Sequence, residues 1–202
     1  MIRKIVDPPR FIWIILALPG FRMTNSLLSG AIGPEGQPTE EYLLHTSGES
    51  AAQIMILAMM ITPFRMMFPK NKFWAWMLKR RRYIGMAAFV YAVFHTVLYI
   101  VDMGTVRAML NEFTALGIWT GWLAFFIFIP LAITSNDFSV RALGTSWKTV
   151  HRFVYVAAIA TLVHWIFVHN NIGPALARFV PLALLEGYRI WRTMNPKSMA
   201  GA

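Results

Sequence analysis

An all-α polytopic membrane protein, a bundle of six transmembrane helices with both termini on the cytoplasmic side, is the fold class this sequence predicts. The first observation is composition: 57% of the 202 residues are hydrophobic and 14% are charged, where a soluble domain carries about a quarter charged residues to wet its surface. The second is a set of charge-free apolar runs, each near the roughly 20 residues a helix needs to cross a hydrocarbon core about 30 Å thick. The third is that the nineteen Lys and Arg are not scattered but gathered between alternate runs.

Taken in order, the spans fall at about 11–30, 50–67, 83–102, 114–134, 149–169 and 175–192, and the whole chain, 1–202, reads as one transmembrane domain. The first is strongly apolar from Phe11 to Phe21 but meets Arg22 and Asn25, so this span must tilt, snorkel the Arg or end early. Pro19-Gly20 and Arg22 stand where a secretory signal would place a small-residue cleavage site, so this segment is expected to be retained. The second lies between Glu49 and Arg65; the third, fourth and fifth contain charge-free runs at Tyr83–Val101, Phe113–Asn136 and Phe153–Ala177. The sixth is interrupted by Glu186 and Arg189, which are expected near its far end.

Orientation follows from the cations, because cytoplasmic loops collect Lys and Arg. The N-terminus (Arg3, Lys4, Arg10), the second connection (Arg65, Lys70, Lys72, Lys79 to Arg82), the fourth connection (Arg141, Lys148, Arg152) and the C-terminus (Arg189, Arg192, Lys197) hold sixteen of the nineteen. Only Arg22, Arg107 and Arg178 remain for the other side, where most acids gather: Glu35, Glu40, Glu41, Glu49, Asp102 and Glu112. The formal charge of +10 therefore reports topology, and no nucleic-acid partner is expected. The run Lys79 to Arg82 is chiefly a topology determinant in contact with anionic membrane lipid, and Arg81 and Arg82 are also candidates to hold the phosphate of a flavin such as FMN.

The absence of cysteine excludes disulfides, thiolate zinc, iron–sulfur clusters and covalently attached haem. No G-x-G-x-x-G follows a strand pattern, so no nicotinamide or flavin domain is expected within the chain. Five histidines remain. His95 and His164 lie inside charge-free runs, where an ionisable side chain is costly and marks function by default. His95 follows Arg82 by 13 residues and His164 follows Arg152 by 12, on spans that run the same way. At 1.5 Å per residue the two imidazoles reach depths within about 2 Å of each other, nearer the outer face. Two imidazoles at one depth, with no third donor, suit the axial positions of a haem iron better than a bare zinc or copper ion. His151 lies 13 residues before His164, near the inner boundary, where it is either a ligand of a second haem or an interfacial residue. His45 and His169 map to the outer boundary; solvation is the ordinary reading there, contact with cofactor, quinone or partner the sharper one. Gly117 and Gly121 form a G-x-x-x-G step that permits close helix contact or the approach of a flat macrocycle.

Several segments resemble a known family. Arg81-Arg82-Tyr83-Ile84-Gly85 leading to Phe94-His95, the stretch Leu143 to Tyr155 containing Trp147 and His151-Arg152, and His164 thirteen residues on are similar to the MsrQ (YedZ) family. So are His45-Thr46-Ser47-Gly48-Glu49 and Ile61-Thr62-Pro63. The resemblance covers about residues 30 to 192, and the family lies within the ferric-reductase-like transmembrane group. It implies a b-type cytochrome of the bacterial inner membrane with His95, His151 and His164 as metal ligands. Such a subunit has no complete catalytic site of its own. It takes electrons from quinol or a cytosolic flavin reductase and passes them to a periplasmic molybdopterin methionine sulfoxide reductase of the MsrP kind. An accessory or assembly subunit of a larger complex and a transmembrane ferric reductase are the alternatives.

Overall fold

The computed structural model describes residues 9–30 and 39–195; Arg3, Lys4, Glu35 and Lys197 of the charge count lie outside them. Every element among the described residues is helical: α1 (Pro9–Ser29), α2 (Thr39–Met67), α3 (Lys72–Met103), α4 (Val106–Glu112), α5 (Leu116–Ile133), α6 (Asp137–Leu143), α7 (Thr145–Arg152), α8 (Val154–His169) and α9 (Ile172–Met194). Local chemistry sets the ends. Asn71 caps α3 by accepting from Phe73 N–H at 2.8 Å, and Gly104 closes it with φ +64°, a conformation that glycine adopts without strain. Thr105, Asn136 and Asn171 cap α4, α6 and α9 in the same way.

Among the described residues, five segments are long and apolar enough to cross a membrane: Phe11–Ser29, Glu41–Met67, Lys72–Met103, Leu116–Ile133 and Thr145–His169. Two of them start well before their expected boundaries. The second and third helices begin at Thr39 and Lys72, so the basic run at Lys79 to Arg82 is helical and not part of a connection. A charge ends an apolar window but does not end a helix, which is why hydropathy placed these starts too late. The fifth expected span is a pair, α7 and α8, parted at Phe153. The sixth, 175–192, is one continuous helix but falls outside the five, because Arg178, Glu186, Arg189 and Arg192 interrupt it. The lateral surface is apolar: Phe21, Leu28, Val101 and Leu184 are each more than 70% exposed, the reverse of a soluble surface and the expectation for lipid contact. The chain is a multi-pass membrane protein.

Packing divides the bundle into two tight pairs, α2 with α3 and α5 with α8. The pairs meet along α3–α5 and α2–α8, where contacts are sparse, leaving a seam through the middle. α1 leans on α2 and α3, and α9 on α2 and α8. In α1, Pro19 removes a backbone donor and forces the local ladder apart. Tyr91 of α3 fills the break: its hydroxyl accepts from Gly20 N–H at 2.7 Å and donates to Leu16 O at 2.7 Å. A Cβ on residue 20 would lie 3.1 Å from that oxygen, so glycine is what lets the hydroxyl in.

Candidate functional site

Two cavities open along the seam. The first, about 1050 Å³ including its mouth, is lined by apolar side chains of α2, α3, α5 and α8 together with His45, His95, His164 and His169. His95 on α3 and His164 on α8 face each other across it, ring centroids 6.0 Å apart and planes at 77°. The shared depth inferred from spacing is thus accompanied by direct apposition.

Each ring is held from behind. His95 Nδ1–H donates to Leu44 O at 2.9 Å and His164 Nδ1–H to Gly117 O at 2.7 Å. A carbonyl can only accept, so both neutral rings carry the proton on Nδ1 and keep the Nε2 lone pair for a ligand. A backbone acceptor behind the ring is the usual outer support of a metal-binding imidazole. Two glycines make the space. A Cβ at Gly48 would come within 2.9 Å of the His95 ring, and one at Gly121 within 2.6 Å of the His164 ring. The G-x-x-x-G step gives the close helix contact, Gly117 meeting Phe167 and Val168 3.2 Å from where its Cβ would be and accepting the His164 hydrogen bond, while Gly121 admits the imidazole.

These residues fit a haem. At the roughly 2 Å reach of a metal–imidazole bond, two rings on opposite sides of one metal have centroids about 6 Å apart. Among the described residues no group of three or more His, Cys, Asp or Glu converges as a bare ion would require. A metal carried in a macrocycle needs only the two axial donors. Tyr99 also lines this cavity, and its hydroxyl is buried without a hydrogen-bond partner.

The second cavity, about 1300 Å³, is lined by Arg81, Arg82, Lys148, His151, Arg152 and Arg189 among apolar side chains. Arg81 donates to Ala58 O at 2.9 Å and Thr62 Oγ1 at 3.2 Å; Arg82 pairs with Asp137 at 2.6 Å. His151 stacks on Trp147, centroids 3.9 Å apart, and its Nε2 lies 3.0 Å from Thr134 Oγ1. Because that hydroxyl spends its own proton on Pro130 O, His151 Nε2 is the donor, the opposite tautomer to His95 and His164. No second histidine lines this cavity.

Three features escaped sequence reasoning. His45 and His169, expected at a solvated boundary, are paired at 4.8 Å and line the first cavity. Tyr99 carried a signal that passed unused: it stands four residues after His95, hence on the same face of α3. Glu186, expected near the far end of its span, is buried and bound by Tyr155 at 3.2 Å, while Arg189 donates to Tyr155 at 2.6 Å. No local pattern announces that cluster, since its members come from two helices.

Residues 47–162 match the family described as "Ferric reductase like transmembrane component". A protein of Brucella anthropi is 30% identical over 200 residues, covering 96% of this chain and 87% of its own length. One from Agrobacterium fabrum is 29% identical over 191 residues (91% and 85%), and one from Brucella ovis 31% over 173 (83% and 73%). All three are named protein-methionine-sulfoxide reductase heme-binding subunit MsrQ. The likeness extends beyond residues 30 to 192 into the N-terminal helix, since 96% coverage takes in most of it. No solved structure matches.

Proposed function

Because the chain belongs to the ferric-reductase-like transmembrane family, among its MsrQ haem-binding subunits, we propose that it is a b-type cytochrome of the inner membrane, holding haem between His95 and His164. The observation that carries this reading is the facing imidazole pair, each Nδ1 tied to a carbonyl and each Nε2 left free, inside an apolar cavity. A haem bound there supplies a one-electron carrier within the membrane. The chain's own part is to fix two neutral ligands at one level, exclude water with the apolar walls, and leave one edge of the cavity open.

The proposed direction is from quinol or a cytosolic flavin reductase to a periplasmic molybdopterin methionine sulfoxide reductase. The relatives' names, methionine-sulfoxide reductase subunits, support the last member of that chain. On this reading the second cavity receives the donor, and Arg81 and Arg82 with Lys148 and Arg152 favour a phosphate-bearing ring such as FMN. His151 is the proposed ligand of a second haem, which requires release of its hydrogen bond to Thr134. The sixth helix is proposed to cross as well, with both termini cytoplasmic: α9 presents Ala175, Phe179, Leu182 and Glu186 to the bundle and Leu176, Val180 and Leu184 outward.

The test is the reduced-minus-oxidised spectrum and pyridine haemochrome of the purified protein. Bis-imidazole b-haem bands are expected in the wild type and should vanish in His95→Ala and His164→Ala. A wild type purified without haem from haem-replete cells overturns the proposal.

A further inference from the structure

We propose that Tyr99, His45 and His169 anchor the two carboxylate arms of the bound haem and so orient it edge-on toward one end of the bundle. This rests on the His95–His164 reading and adds to it the direction in which the macrocycle points.

The three side chains collect one turn beyond the ligand pair, on the same side. Tyr99 lies four residues after His95 on α3 and His169 five after His164 on α8, rises of about 6 and 7.5 Å along two helices that run the same way. α2 runs oppositely, and His45 precedes by three residues Gly48, which abuts the His95 ring. All three line the same cavity. Tyr99 Oη is buried without a hydrogen-bond partner, a cost that a polar group of a bound ligand would relieve. The His45 and His169 rings touch at 4.8 Å and 48°, bringing two imidazole edges together at the mouth. The cavity's own carboxylate is already engaged: Glu49 pairs with Arg178 at 3.5 Å, and Arg178 lies over Trp165 at 4.8 Å. Glu41 is 4.0 Å from His45.

Thr96 and Thr161 spend their hydroxyls on their own helices and the remaining lining is apolar, so the cavity has a greasy end and a donor-rich end. A haem has the matching shape, an apolar macrocycle with its two propionates on one edge. A bare metal ion does not match, because among the described residues no three His, Cys, Asp or Glu side chains converge.

The experiment compares holoprotein variants Tyr99→Phe and His45→Gln/His169→Gln with wild type. Tyr99→Phe removes a single oxygen and keeps the ring, so folding is not at issue. Axial-ligand bands are expected to stay bis-imidazole, while the propionate bending modes in resonance Raman shift and transfer of haem to apomyoglobin speeds up about tenfold per variant, the loss of a charge-assisted hydrogen bond. Unchanged propionate modes and transfer rates in both variants overturn the anchor while leaving the axial pair standing. A wild type lacking the bis-imidazole spectrum overturns the axial reading and the anchor with it.

Discussion

At the scale of single residues, the ligand geometry depends as much on absent side chains as on present ones. Gly121→Ala sets a methyl 2.6 Å from His164 Nδ1, the atom that donates to Gly117 O. The ring must swing, and the hydrogen bond that fixes its tautomer goes with it. We expect Gly121→Ala to lower haem occupancy about tenfold, in line with outer-support losses at other metal sites, whereas Gly187→Ala, where a Cβ meets nothing within 4 Å, should leave the spectrum unchanged. Equal occupancy in the two variants would remove the steric argument. At the second cavity, Thr134→Val deletes the acceptor that holds His151 Nε2–H. If His151 binds a haem, this variant should load that site more readily, read as a rise in haem per polypeptide; a fall would assign the hydroxyl to the bound state instead.

At the scale of elements, α1 is docked by one hydroxyl. Tyr91→Phe leaves Leu16 O and Gly20 N–H without their shared partner beside Pro19, and in a membrane nothing nearby replaces it. A cost of about 1–3 kcal/mol is expected, seen as faster proteolysis between α1 and α2 and a lower unfolding temperature. His95 lies one turn beyond Tyr91 on α3, so the same variant also reports whether α1 supports the ligand helix: a changed haem potential says that it does. α9 is tied differently, through Glu186, Tyr155 and Arg189. Glu186→Gln should weaken that tie less than Glu186→Leu, which strands the Arg189 guanidinium at a half-buried site.

Over the whole molecule, topology is open to a clean experiment, because the chain has no native cysteine. Single cysteines at Lys70, Lys148 and Asn195 are expected to react from the cytoplasmic side, and those at Asn111 and Asn170 from the other. Labelling of Asn195 on the same side as Asn170 would mean that α9 does not cross. The helices themselves were readable from sequence because apolar length is a local property, carried by runs such as Leu116–Ile133. The facing of His95 and His164 was half readable: spacings of 13 and 12 residues from Arg82 and Arg152 placed them near one level, but Leu44 O and Gly117 O, which aim the rings, belong to other helices. His45, His169 and Tyr99 stayed hidden for the same reason, since a single helix face says nothing of what another helix brings opposite it.

The sparse seam between the α2–α3 and α5–α8 pairs bears on how the protein is made and kept. The two pairs touch each other sparsely and share α9, so an occupant of the seam is a further joint between them, and anything that binds only the assembled form stabilises it by mass action. Loading and assembly then become one equilibrium. Cells short of porphyrin should hold less of this polypeptide, its unfilled halves parting often enough for membrane proteases to find them, and quantitative immunoblotting across a graded supply of 5-aminolevulinate would reveal that dependence.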